Sequence, residues 1–253
     1  MKKLSVVIIA FNEEENIGLC IDSVQGIADE VVVVDSFSTD KTVAIATQKG
    51  ALVLQHKFEG HIQQKNFAKE QAKNEWVLSL DADETLSNEL RLALSKWKLE
   101  SRNQIDGYKI NRLNFYCGKA IKTCGWYPDS KIRLWSRGTG EWRGLNPHDK
   151  FELYEGKDAI ATMPGDILHN TYPTCESFLA QREKFATISA QHLKVESLLF
   201  LLAKLIFSPP FKFIRTYILQ LGFTEGITGF FICYHLSREV FLKYYRAIKY
   251  KYT

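Results

Sequence analysis

Four apolar runs rich in β-branched residues recur along the first third of the chain: Ser5 to Ala10, Glu30 to Asp35, Ala51 to His56 and Trp76 to Asp81. Between them, Glu13 to Val24, Asp40 to Gln48 and Ile62 to Lys73 carry apolar residues at helical spacing. Strands alternating with helices in this way predict a parallel sheet covered by helices on both faces. Punctuation supports the same division. Asn12 followed by Glu15 resembles a capping box, Asp40 is placed to cap the second helix, and Gly50 follows its end.

From Gly107 to Tyr172 helical periodicity fades and Gly, Trp, Arg and His become frequent. Trp126, Trp135 and Trp142 fit core or loop anchors first and sugar-stacking platforms second. Asn146-Pro147 predicts a turn that presents His148 and Asp149 just ahead of the strand-like Lys150 to Tyr154. The expected organisation is an α/β half over 1–105, a second half of the same domain over 106–175 that supplies an acceptor site and a base, and a helical tail over 176–253.

Composition changes this picture in two places. The 253 residues are 45% hydrophobic, enough for an ordinary globular core, and the five cysteines are an odd number without a Cys-x-x-Cys pair, so neither a disulfide framework nor a zinc site is indicated. Lys2 and Lys3 precede an apolar run too short for a signal peptide, so the N-terminus reads as mature and cytosolic. The net charge of +4 is unevenly spread: from Leu198 onward eight Lys or Arg face two Glu, giving +6, which leaves −2 for the residues before it. That tail is also crowded with Phe and Tyr. Its longest apolar run, Leu198 to Phe207, is interrupted by Lys204 and is far short of the ~20 residues of a spanning helix, so a helix lying at an anionic membrane surface is expected.

In a parallel α/β sheet ligands bind beyond the carboxyl ends of the strands. Polar and acidic residues gather there: Phe11-Asn12-Glu13-Glu14 after the first strand, Asp35 to Asp40 after the second, and Asp81-Ala82-Asp83-Glu84 after the fourth. No glycine-rich phosphate loop follows the first strand. Mutually repelling carboxylates in the last group point to a bound cation. A hard divalent ion takes one or two carboxylates and completes its shell with water and phosphate oxygens. Asp81 and Asp83 as simple caps of the following turn is the competing reading.

The blocks VVIIAFNEEENI, EVVVVDSFSTDKT and GHIQQKNFAKEQAKNEWVLSLDADE together resemble the family-2 glycosyltransferases, whose members have the GT-A fold and use nucleotide-diphosphate sugars. KIRLWSRGTGEWRGLNPHDKFEL and GDILHNTY further resemble the lipopolysaccharide-core β-glucosyltransferase type. The resemblance implies an α/β fold of GT-A type: a mostly parallel nucleotide-binding sheet flanked by helices, with a helical basic-aromatic C-terminal appendage. It implies that Ala10, Asn12 and Glu14 lie against the nucleoside, Asp35 at the base or ribose, Lys65 and Asn66 on the diphosphate side, Asp81 at the ribose and Asp83 on Mg²⁺ or Mn²⁺. UDP is the expected nucleotide.

An inverting transfer needs a base opposite the leaving diphosphate. Asp149 is the candidate, one methylene shorter than the Glu usual in that subgroup, with a surface ion pair as the alternative. His148 is expected to orient the base or meet diphosphate, and His169 to approach the metal or phosphate. The expected reaction moves a glucose-like hexose to a lipid-linked saccharide at the cytoplasmic face of the inner membrane, with no nucleic-acid partner. Two rivals are a sugar-nucleotide nucleotidyltransferase, disfavoured by the carboxylates where its basic glycine-rich loop belongs, and a membrane-surface nucleotide binder without catalysis. The Gln-x-x-Arg-Trp motif of processive synthases is absent.

Overall fold

The computed structural model describes residues 1–100, 105–145, 148–193 and 197–252, with only the backbone of Leu145 and His148. The chain forms two compact units: Met1–Arg112 with Asp129–His169, and Leu113–Pro128 with Asn170–Thr253.

In the first unit the four apolar runs become β1 (Leu4–Ala10), β2 (Glu30–Asp35), β3 (Leu52–Gln55) and β4 (Trp76–Asp81). β1 pairs in parallel with β2 and β4, and β2 with β3. Alternate residues serve opposite faces. Leu4, Val6, Ile8, Val33, Leu78 and Leu80 enter one core with Ile17, Cys20, Ile21 and Val24 of α1 (Ile17–Val24) and Leu90, Leu94 and Trp97 of α4 (Asn88–Leu99). Val7, Val32, Val34 and Val77 enter the other with Ala68 of α3 (His61–Gln71). Burial on both faces is why these strands read as continuous apolar runs. Between β2 and β3 lies α2 (Thr42–Gln48), closed by Gly50 at φ +82°, a conformation glycine adopts without strain.

Beyond β4 the sheet turns antiparallel. Short β5 (Glu84–Leu86) follows the Asp81 turn, β6 is Gly107–Tyr116, β8 is Asp129–Ser136 and β11 is Ile160–Tyr172. The strand order is β3-β2-β1-β4-β8-β6-β11-β5, with β7 (Lys119–Ala120) on β6. β8 runs antiparallel to β4 and to β6. Tyr108 pairs with Leu134 and Lys109 with Ile132, so Arg133 is the extra residue of a β-bulge. A separate hairpin of β9 (Gly140–Leu145) and β10 (His148–Leu153) closes over the second core, where Phe151 stacks on Trp135 at 3.8 Å and both pack against Trp142. The expected turn at Asn146-Pro147 lies outside the described residues.

The second unit gathers Tyr116, Ile121, Cys124 and Tyr172 around Phe178 of α5 (Cys175–Gln191) and Ile232, Cys233 and Leu236 of α7 (Ile227–Tyr252). α6 (Leu198–Ile214) packs along α7, and the Ser237 hydroxyl donates to the carbonyl of Pro209 inside α6. Thr174 and Ser177 form a capping box for α5. No described helix is long and apolar enough to cross a membrane.

Two expectations change. The first helix starts at Ile17, and neither Asn12 nor Asn16 caps it by side chain. Asp40 does satisfy the Thr42 N–H at the start of α2. The compact units break after Arg112 inside β6, after Pro128 and after His169 inside β11, where the sequence suggested divisions after 105 and 175; a strand's residue pattern does not alter where its neighbours do.

Candidate active site

The carboxyl ends of β1, β2 and β4 lie side by side, with Ala10 in register with Asp35 and Ile9 with Asp81. The loops leaving β1 and β2 are tied together. Asn12, at φ +53°, accepts the Thr39 N–H on its side-chain oxygen and gives its own N–H to the Ser38 hydroxyl. Asp35 is fully buried and accepts both the N–H and the hydroxyl of Ser38. Glu14 accepts the Lys41 N–H. Of the residues expected against the nucleoside, Asn12, Glu14 and Asp35 therefore build the loop floor, while Phe11 and Phe37 project exposed from it. Phe37 holds φ +63°, a costly conformation for a bulky side chain and a mark of functional loops.

The Asp81–Glu84 turn divides its carboxylates into two kinds. Glu84 is wholly buried: one oxygen accepts the Asp81 N–H at 2.9 Å, and the other lies 2.8 Å from Arg133 and 3.5 Å from Arg112. Asp81 is 3.5 Å from Arg133 and 3.1 Å from Lys65. Burial would raise the Asp81 carboxyl, but Lys65 and Arg133 outweigh it and hold the group well below the ordinary carboxylate range. These two carboxylates are compensated by protein cations. The sequence attributed the cluster's charge to a metal alone; the bulge at Arg133 and the turn of α3 that carries Lys65 supply the other half of the answer.

Asp83 is different. It faces His169 of β11, with Oδ2 3.1 Å from Nε2, because β11 pairs with β5 and places His169 opposite Glu84. Glu13 completes this corner: burial pushes its carboxyl up, and Asp83, Asp40 and Asp81 add to the shift despite a 2.7 Å hydrogen bond from Asn16. Sequence reasoning singled out Glu14 and passed over Glu13, whose neighbours come from another strand. Among the described residues no three His, Cys, Asp or Glu groups gather as a metal cage. Asp83 and His169 nonetheless fit a Mg²⁺ or Mn²⁺ ion that draws its remaining ligands from water and diphosphate.

Lys65 joins the catalytic candidate to this cluster. Only 4% exposed, it lies over the Trp142 ring at 4.6 Å and donates to Asp149 Oδ2 at 2.9 Å. Asp149 thus pairs with a buried lysine and not with a surface neighbour; Lys150 bonds Glu152 instead. Asn66, expected beside the diphosphate, exchanges two 2.9 Å hydrogen bonds with the Trp142 backbone and so fixes α3 to β9. His148 begins β10, but its side chain lies outside the described residues. Trp135 and Trp142 are core residues of the first unit, and Trp126 packs against Tyr172 and Phe178 in the second. Arg112, Asp129 and Arg133, none of them among the expected site residues, extend the cluster: Arg112 bonds Asp129 at 2.7 Å, and Arg133 is buried.

Comparison with known proteins adds four findings. The model of Glycosyl transferase family 2 matches residues 5–112. A protein of Rickettsia typhi described as an uncharacterized glycosyltransferase is 32% identical over 239 residues, covering 91% of this chain and 81% of that one. The lipopolysaccharide core biosynthesis glycosyltransferase LpsC of Rhizobium meliloti is 29% identical over 253 residues, covering 95% and 93%. Among solved structures, glucosyl-3-phosphoglycerate synthase from Mycobacterium tuberculosis, in complex with Mn²⁺, UDP-glucose and phosphoglyceric acid, superposes with a TM-score of 0.50 at 22% identity over 79% of this chain and 85% of that one. At that identity the likeness speaks for a GT-A type fold alone.

Proposed function

The chain belongs to glycosyltransferase family 2, and from that premise we propose an inverting hexosyl transfer from a UDP-sugar to a lipid-linked saccharide of the lipopolysaccharide core. The observation that carries it is the pairing of Asp83 with His169 at 3.1 Å beside the Lys65-bridged Asp81 and Asp149, at the carboxyl ends of the parallel strands. Those strands end where a nucleotide sugar binds in a GT-A type sheet, and the solved neighbour is in complex with UDP-glucose and Mn²⁺.

In this reading the loop floor made by Asn12, Asp35 and Ser38 seats the nucleoside, with Ala10 at the end of β1 beneath it. Asp83 and His169 would hold Mg²⁺ or Mn²⁺, which when bound would neutralise charge on a departing diphosphate. Asp149 takes the proton from the acceptor hydroxyl, on the face of the sugar opposite the leaving group. Lys65 stands between Asp81 and Asp149 and offsets the repulsion between their carboxylates. Trp142 and the β9–β10 hairpin cover Lys65 and exclude water from it, which strengthens each of these interactions. The C-terminal helices bring the enzyme to the anionic cytoplasmic face of the inner membrane, where a lipid-linked acceptor is met.

A panel of nucleotide sugars, scored by release of free nucleoside diphosphate with Mg²⁺ or Mn²⁺ and a lipid-linked core saccharide, tests the proposal. UDP-glucose should be consumed only with both acceptor and divalent ion present. Turnover that persists in chelator, or donor binding without any turnover across the panel, would exclude metal-assisted transfer or catalysis respectively.

A further inference from the structure

The second unit keeps an apolar surface that its own core does not use. Exposed apolar residues run along α6, at Leu199, Ile206 and Phe207, and continue where α6 hands over to α7: Phe211, Ile218, Leu219, Leu221, Phe223 and Ile227 are all exposed, Leu219 by 71% and Ile227 by 89%. This tip is built to stay out. After Ile214 the backbone loosens into a π turn over Arg215–Leu219, Leu221 takes φ +56°, and a 3-10 turn over Gly222–Glu225 leads to α7. Leucine at positive φ is a poor choice where Gly or Asn would serve at less cost. The double turn closes because Gly229 lies against the Gly222 carbonyl, where a Cβ would stand 1.9 Å from the oxygen.

Charge around the tip is one-sided. Between Phe211 and Ile227 the sequence holds Lys212 and Arg215 against Glu225 alone. Glu225 is turned inward, where it bonds Lys119 at 2.8 Å and the Thr123 hydroxyl at 3.2 Å. Arg215 and Lys122 remain exposed.

We propose that the α6–α7 tip, with Leu219, Leu221, Phe223 and Ile227 as its apolar end, dips into the interface of an anionic lipid bilayer without crossing it. The proposal rests on the reading that the C-terminal helices meet a membrane, and it adds the turn between the helices to the Leu198 to Phe207 run expected from sequence, itself exposed at Leu199, Ile206 and Phe207. An apolar end beneath basic residues matches the hydrocarbon boundary beneath anionic headgroups. A second copy of the chain would bring the same positive charges against themselves. No described helix can span, so insertion stops at the interface.

Co-sedimentation of the full-length protein with vesicles of phosphatidylcholine, with and without phosphatidylglycerol, tests this. Fully burying a Leu or Ile is worth roughly ten- to hundredfold in an equilibrium constant. Leu219→Asp with Ile227→Asp should therefore lower the partition coefficient at least tenfold, while Leu92→Asp, at an equally exposed site on α4 of the first unit, should leave it unchanged. Binding of the wild type should weaken with salt, and both variants should still bind donor nucleotide. If the wild type binds and the double variant binds equally, the tip is the wrong surface although the membrane reading survives. If the wild type binds no vesicle, both fall. Equal binding to phosphatidylcholine alone removes the electrostatic part. A dimer that the double variant dissociates, with no dependence on lipid, would assign the tip to a second copy.

Discussion

The two ends of the parallel sheet in the first unit are both crowded with charge, yet they are organised in opposite ways. At the amino end Asp29 receives Lys3 at 2.9 Å, Lys98 at 2.6 Å and the Leu4 N–H at 2.9 Å, and Lys98 also bonds the Ile27 carbonyl. One carboxylate has two cations and a backbone donor, and the group is closed. At the carboxyl end the ratio is reversed. Lys65 is divided between Asp81 and Asp149, Arg133 between Glu84 and Asp81, and Asp83 and Glu13 add negative charge without a Lys or Arg of their own among the recorded ion pairs. A dense cluster is therefore no sign of a site. The sign is a cluster whose carboxylates outnumber its cations, so that a divalent ion would relieve it.

The comparison breaks first at Asp83. Asp83→Ala should lower turnover by about 10³-fold or more, since metal stabilisation of a leaving group is worth several kcal/mol, and nucleotide affinity should cease to respond to Mg²⁺ or Mn²⁺. Calorimetric titration of UDP with and without the ion checks the second point; an unchanged metal response would remove Asp83 from the ion. Glu84 comes next and acts on stability. Glu84→Gln leaves buried Arg133 with only the more distant Asp81 as counter-ion, which costs about 3 kcal/mol, read as a lower urea midpoint at constant slope. Adding Arg133→Met should restore part of that loss, because an apolar replacement of a buried pair is tolerated better than half a pair.

Asp149→Asn keeps the shape of the proposed base and removes its proton affinity. Turnover should fall about 10²-fold with donor affinity retained. Near-normal turnover would redirect the role to Asp129 or Glu152, the other carboxylates near this edge.

How much of this the chain announces depends on the range of the cause. β1 to β4 and the helices between them were legible because each is fixed by a local apolar pattern and a nearby polar stop; their ends move by a few residues. The acidic turn at Asp81 was also legible, whereas Lys65, expected on the diphosphate side, is paired with Asp81 and Asp149. What escaped was set by distant neighbours. Glu84 reads as one more carboxylate until β8 bulges at Arg133 and supplies its cation. Asn66 reads as a diphosphate ligand until β9 brings the Trp142 backbone to it. Asn12 carries the residue type of a cap, but its side chain serves the next loop. In each case residue type announced polarity correctly, and tertiary pairing decided where it was spent.

The smallest effect is expected at the amino end, and it sharpens the contrast most cleanly. Burial would raise the Asp29 carboxyl, but hydrogen bonds from Lys98 and Lys3 outweigh it and bring the group down to about 2. The folded-state value is thus depressed below the unfolded value of about 4. Such a group contributes stability that is fully present above the unfolded value and is lost as pH falls through the folded one. Asp29→Asn should therefore unfold at lower urea than wild type at neutral pH, and the gap should close between about pH 4 and pH 2. Turnover at neutral pH should be unchanged. A difference in stability that stays constant with pH would show that Asn disturbs packing and not charge, and a loss of turnover would mean that the two ends of the sheet are not independent after all.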